Sequence, residues 1–152
     1  MIAEASRHGV VLGLSDHILM DNRRLRSVEE LTGYITALAA LPVIVGAEVS
    51  VGDVSDDAQV AVASGILGEF DYLIASLHQV DVPQGRVTAA AYLNWRFGMY
   101  PRYAPTVVGY DRRDYFDEWL RMLAITLETM PVRILGHFAL FPEQAEIGRA
   151  HV

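Results

Sequence analysis

Residues 27–48, SVEELTGYITALAALPVIVGAE, contain a helix, its stop and a strand within one short stretch. Ser27 with Glu30 three residues on forms a capping box. Val28, Leu31, Tyr34, Ile35, Leu38 and Leu41 then recur at helical spacing until Pro42 ends the element. The apolar run Val43 to Val49 that follows is too short for another helix and is rich in β-branched residues, so it reads as a buried strand. Glu48 interrupts that run near its end.

The same unit recurs on either side. Upstream, a helix over Ile2 to His8 stops at Gly9, a residue suited to the left-handed helix terminus, and the apolar run Val10 to Leu14 follows. Downstream, Asp56 and Gln59 can open a helix with Val60, Ala63 and Leu67 along one face and Gly68 at its end, before a strand over Tyr72 to Leu77. Phe116, Trp119, Leu120, Leu123, Leu127 and Met130 mark a long amphipathic helix stopped by Pro131. Val132 to Leu135 then reads as a further strand. Strands alternating with helices indicate an α/β protein with parallel strands. The stretch 79–113, rich in Tyr, Arg, Pro and Gly, gives no regular pattern and admits one short element or a long loop over a site.

Composition narrows the chemistry. The chain has 152 residues, 52% of them apolar, enough for one domain with a hydrophobic core. It has no apolar run of the ~18 to 20 residues that a membrane span requires and no secretory signal at its start, so a cytoplasmic protein with no membrane partner is expected. It contains no cysteine, which excludes disulfides and thiolate metal sites and leaves His, Asp and Glu as ligands. All twelve basic residues are arginine, which excludes Schiff-base and P-loop lysine chemistry. The net charge of −7 argues against a broad grip on nucleic acid and leaves a small anionic substrate open.

Each strand ends in a residue able to bind metal: His17 after Ser15-Asp16, Glu48 after Gly46-Ala47, His78 after Ser76-Leu77 and His137 after Leu135-Gly136. Their separations of 31, 30 and 59 residues correspond to one, one and two βα units of ~30 residues. Successive parallel strands bring such ends onto one face, so residues remote in sequence become neighbours. Imidazole and carboxylate suit Zn, Mn or Fe, and Glu48 is the natural bridge between ions. Singly, each residue has a structural use: a hydrogen-bonded histidine, a buried salt bridge for Glu48, a turn cap for Asp16. Four together at four strand ends point to a metal site. His8, on the opening helix, reads as a surface residue.

These motifs resemble the polymerase and histidinol phosphatase (PHP) superfamily. Ser15-Asp16-His17 resembles its Thr-Asp-His motif, Gly46-Ala47-Glu48 its Gly-x-Glu, Ser76-Leu77-His78 its Ser-x-His and Leu135-Gly136-His137 its Leu-Gly-His. The similarity runs over most of residues 2–141. It implies a distorted, TIM-like β/α barrel, of which residues 1–145 would form an incomplete domain. It further implies two or three divalent metal ions (Zn, Mn or Fe) with His17, Glu48, His78 and His137 as ligands, and Asp16 as a supporting catalytic carboxylate. The family's His-x-His and closing Asp-x-His motifs have no counterpart here and are expected beyond the two ends of a truncated chain. Residues 146–152, EIGRAHV, look like one reading frame of a sequencing adapter and are expected to be a non-native tail, so His151 is not recruited.

The activity so implied is hydrolysis of a small phosphomonoester by metal-activated water, as in histidinol phosphatases. A nucleotide or nucleic-acid phosphoesterase and a noncatalytic structural module are the alternatives. Arg23, Arg24 and Arg26, just beyond His17, could contact a substrate phosphate or simply form a solvated helix entry. Trp95, Arg96 and Arg102, within Tyr92 to Tyr103, could cover the mouth of the site or belong to an ordinary packed excursion.

Overall fold

A computed structural model of the chain describes residues 1–19, 25–52, 55–83, 85–88 and 112–136. The element order is α1 (Ile2–Arg7), β1 (Leu12–His17), α2 (Val28–Ala39), β2 (Val43–Ser50), α3 (Asp56–Ser64), a 3-10 turn (Ile66–Glu69), β3 (Tyr72–Ser76), β4 (Gln79–Val82), β5 (Gly85–Thr88), α4 (Arg112–Thr129) and β6 (Ile134–Gly136). The protein is mixed α/β. Strands β1, β2, β3 and β6 form a four-stranded sheet in that order, with every pairing parallel. Each strand therefore lies beside the next in this series, without the reversal of order that marks a doubly wound sheet.

Local signals explain most boundaries. Helix α2 begins where Ser27 Oγ accepts from the Glu30 amide at 3.1 Å and Glu30 Oε2 accepts from the Ser27 amide at 3.1 Å, a reciprocal cap. Pro42 follows its end, and β2 starts one residue later. Gly9 takes a φ of 68° after α1, as the sequence requires for an abrupt exit from a helix.

Two helices differ from their sequence reading. Helix α3 is capped by Ser55, whose side chain accepts from the Ala58 amide, and it stops at Gly65 with φ 78°, not at Gly68. Its buried residues are Ala58 and Ala61, whereas Val60 is exposed; Leu67 is buried from the 3-10 turn beyond it. The small side chains leave room for close packing, and no sequence periodicity marks that face. In α4, Leu120 and Leu127 are exposed, and Tyr115, Met122 and Thr126 are buried instead. Between β3 and α4 lies an antiparallel hairpin, β4–β5, that pairs Gln79 with Thr88 through Val82 with Gly85. Its alternation of Val80 and Val82, followed by a proline and a glycine, is a hairpin signal within a stretch that otherwise reads as irregular.

Alternation along the strands divides the parallel sheet into two faces. One carries Val45, Ala47 and Val49 of β2 with Leu73 and Ala75 of β3, all at most 5% exposed, and joins a core that includes Leu31 of α2. Full burial of a valine or leucine side chain stabilises a fold by about 1.5–3 kcal/mol, so Val45, Val49 and Leu73 anchor this face. The other face carries Ser15 and His17, then Gly46, Glu48 and Ser50, then Tyr72, Ile74 and Ser76. Among the described residues no helix is long and apolar enough to cross a membrane.

Candidate metal centre

Parallel register brings the site together. His17, the last residue of β1, is paired with Glu48 of β2, and both project from the same face. His78 lies two residues beyond Ser76, the end of β3, and its ring returns to the same place. His17 Nε2 lies 3.2 Å from Glu48 Oε1, and His78 Nε2 lies 3.3 Å from that same oxygen. The two imidazoles are 5.4 Å apart between centroids and tilted by 51°, so they converge on the carboxylate without stacking. A ligand atom from each of the three residues lies within 4.8 Å of the others.

That geometry could hold one divalent ion. The donors are two imidazole nitrogens and one carboxylate oxygen, a set suited to Zn, Mn or Fe in a chain without cysteine. The three side chains are 35%, 14% and 20% exposed for His17, Glu48 and His78. That degree of exposure is low enough to weaken competition from bulk water, yet it leaves positions open for a water or a substrate oxygen. A further polar group adjoins the cluster: Ser50 Oγ lies 3.0 Å from His78 Nδ1, the ring nitrogen that faces away from Glu48.

Other residues singled out in the sequence fall elsewhere. Asp16 adjoins the cluster without joining it. Its Oδ1 accepts the backbone N–H of His17 at 2.8 Å, and strand alternation directs its side chain to the opposite face from His17. On that side the Tyr34 hydroxyl is held above its ordinary pKa, chiefly by burial, with the Asp16 charge and then Tyr72 adding to the shift. Arg26 is engaged by Asp57 at the start of α3: its Nε donates to Asp57 Oδ2 at 2.6 Å, and a terminal nitrogen lies 2.5 Å from the same oxygen. This pair ties the entry of α2 to the first turn of α3, in keeping with a role for Arg26 at the helix entry. His8 sits on α1 beside Glu4, 3.3 Å away, with a side chain 72% exposed.

His137, Arg23, Arg24, Trp95, Arg96, Arg102 and the segment 146–152 lie outside the described residues. The strand that leads to His137 is described, and its last residue, Gly136, is in register with Ser76.

Two serines escaped the sequence reading as site residues. Ser50 follows Glu48 by two positions, and that spacing alone places it on the same strand face. Ser76 is fully buried and its hydroxyl has no hydrogen-bond partner among the described residues. A Cβ added at Gly136 would stand 2.6 Å from Ser76 Oγ, so the absence of a side chain at Gly136 makes room for that hydroxyl. Comparison with known protein families, with curated proteins and with solved structures gives no match.

Proposed function

We propose that this chain carries part of the metal centre of a PHP-type phosphoesterase that hydrolyses a small phosphomonoester. The observation that carries this reading is the approach of His17 Nε2 and His78 Nε2 to one oxygen of Glu48, at 3.2 and 3.3 Å, from β1, β2 and the segment just beyond β3. Two imidazoles directed at one carboxylate oxygen is the arrangement expected where lone pairs share a cation. The order of the strands supports the associated fold. Crossovers between parallel strands are right-handed almost without exception, so a sheet whose strands advance in one direction keeps its helices on one face. That leaves the other face as the inner wall of a barrel arc, with its site at the carboxyl ends of the strands.

On this reading His17, Glu48 and His78 hold one of the two or three divalent ions of the complete centre, and His137 is a further ligand. A bound divalent ion supplies Lewis-acid polarisation of a phosphoryl oxygen and an acidified water. The protein's own contribution is to fix the ligands on rigid strand ends and to keep the buried face dry beneath them. Asp16 holds the His17 amide at 2.8 Å and so sets the backbone that presents the imidazole, a supporting role. The net charge of −7 favours a small substrate over a nucleic acid, whose backbone would be repelled.

The test is metal analysis of the purified protein together with release of inorganic phosphate from small phosphomonoesters, histidinol phosphate among them. Bound divalent metal that a chelator removes, with turnover dependent on Mn or Zn, is the expected result. A protein that holds no metal and shows no metal-dependent turnover would overturn the reading.

A further inference from the structure

Ser50 stands in an unusual position for a residue without a charge. Its Oγ is 3.0 Å from His78 Nδ1, while Nε2 of the same ring is 3.3 Å from Glu48 Oε1. A neutral imidazole carries one proton, so one ring nitrogen donates and the other accepts. An ionised carboxylate only accepts. Without a cation, Glu48 therefore favours the proton on Nε2, which leaves Nδ1 as an acceptor. With a cation between the ligands, Nε2 must present a lone pair, and the proton moves to Nδ1. The group beside Nδ1 must then change from donor to acceptor.

Only a group that both donates and accepts satisfies His78 in each state, and a hydroxyl does so by rotating one bond. We propose that Ser50 is a positioning residue whose hydroxyl reverses its hydrogen bond to His78 and thereby lets the ring exchange tautomers when metal enters. The inference rests on the metal-centre reading above. In the metal-free state the Ser50 O–H donates to Nδ1, and in the loaded state Nδ1–H donates to Ser50 Oγ. The proton of Ser50 then needs an acceptor of its own. Ser76, at the register position paired with Ser50 and on the same strand face, has a fully buried hydroxyl with no hydrogen-bond partner among the described residues. Its Oγ leans toward Gly136 in this structure, so it takes that proton only after rotating toward Ser50.

The His78 side chain is only 20% exposed, so solvent is a poor substitute for Ser50. Loss of an outer hydrogen-bond partner to a metal-binding histidine typically lowers metal affinity about 10–100-fold.

The experiment is titration of the protein with Zn or Mn by calorimetry, with 15N NMR of the His78 ring in chelated and loaded samples. The expected result has three parts: the ring proton is on Nε2 without metal and on Nδ1 with it, Ser50→Ala weakens binding about 10–100-fold, and Ser50→Thr restores it. Metal bound equally by wild type and Ser50→Ala, or a ring that keeps one tautomer throughout, overturns this inference and leaves the metal centre standing. Absence of metal from the wild type overturns the metal centre and this inference with it. Covalent labelling of Ser50 by a phosphonofluoridate also overturns it, since Ser50, His78 and Glu48 would then act as a nucleophile with its base.

Discussion

The ring of Tyr72 lies directly across the backbone of Gly46, and a Cβ placed on residue 46 would overlap it. The phenol continues toward β1, where a Cβ on Gly13 would stand 2.8 Å from the Tyr72 hydroxyl oxygen. One side chain from β3 thus covers two neighbouring strands on the face that bears His17 and Glu48. This gives the Gly-x-Glu spacing a physical meaning: glycine at 46 admits the ring, and two residues later the same face presents the carboxylate. Gly46→Ala is expected to displace Tyr72 and to destabilise the fold by about 1–3 kcal/mol, the usual cost of overpacking. Denaturant midpoints measure it. Tyr72→Leu in the Gly46→Ala background should recover part of the loss, and failure to do so would show that the ring is not the obstacle.

Glu48 is the shared partner of both imidazoles, whereas His8 pairs with Glu4 on an exposed helix. Glu48→Gln removes the only charged ligand of the described cluster. Its metal affinity should fall by at least the about 10–100-fold that follows loss of an outer-sphere partner. His8→Ala should leave metal content unchanged. Equal metal content in wild type and Glu48→Gln would contradict the assignment of the carboxylate as a ligand.

Much of this site is legible in the sequence because its signals are local. The capping box at Ser27 and Glu30, the stop at Pro42 and the turn at Gly9 each act within a few residues, and they fix where strands begin and end. Spacing close to one βα unit then singles out His17, Glu48 and His78, although Glu48 lies inside β2 and His78 two residues beyond β3. What the sequence hides is decided by partners far along the chain. Leu120 and Leu127 fit the apolar stripe of α4 as well as any residue, yet they are exposed, and Thr126 is 1% exposed. Thr126 is chosen because a backbone amide 74 residues away requires an acceptor. Arg26 likewise reads in sequence as either a phosphate contact or a helix entry, and its partner Asp57, 31 residues on, leaves no local mark. Ser50 was within reach of sequence reasoning, since the period of two that places Glu48 on the site face places Ser50 there too.

That distant amide belongs to Gly52, which donates to Thr126 Oγ1 at 2.7 Å, while Thr126 Oγ1 donates to Met122 O at 3.0 Å. The bond fastens the chain just after Ser50 to the last turn of α4. Thr126→Val keeps the shape of the side chain and removes the acceptor, so the Gly52 amide loses its partner in a partly buried setting. A loss of about 1–3 kcal/mol is expected, measured by thermal or denaturant unfolding. Because Ser50 lies two residues from the fastening point, the variant should also weaken metal binding. Unchanged stability would mean that the Gly52 amide finds water instead.

The capping box makes α2 sensitive to acid. Glu30 Oε2 accepts from the Arg26 amide at 2.9 Å and from the Ser27 amide at 3.1 Å, and these bonds, the Arg26 one foremost, hold the Glu30 carboxyl below its ordinary pKa. A carboxyl whose pKa is lower in the folded state binds its proton more readily in the unfolded state. Its contribution is therefore complete above the unfolded pKa and is lost as pH falls through the folded one. Glu30→Ala should accordingly be less stable than wild type by a constant margin at about pH 6 to 8. That margin should shrink as the wild-type carboxyl protonates in acid, and equilibrium unfolding of both proteins across the range measures it. A margin independent of pH would assign the effect to helix propensity and not to the charged cap.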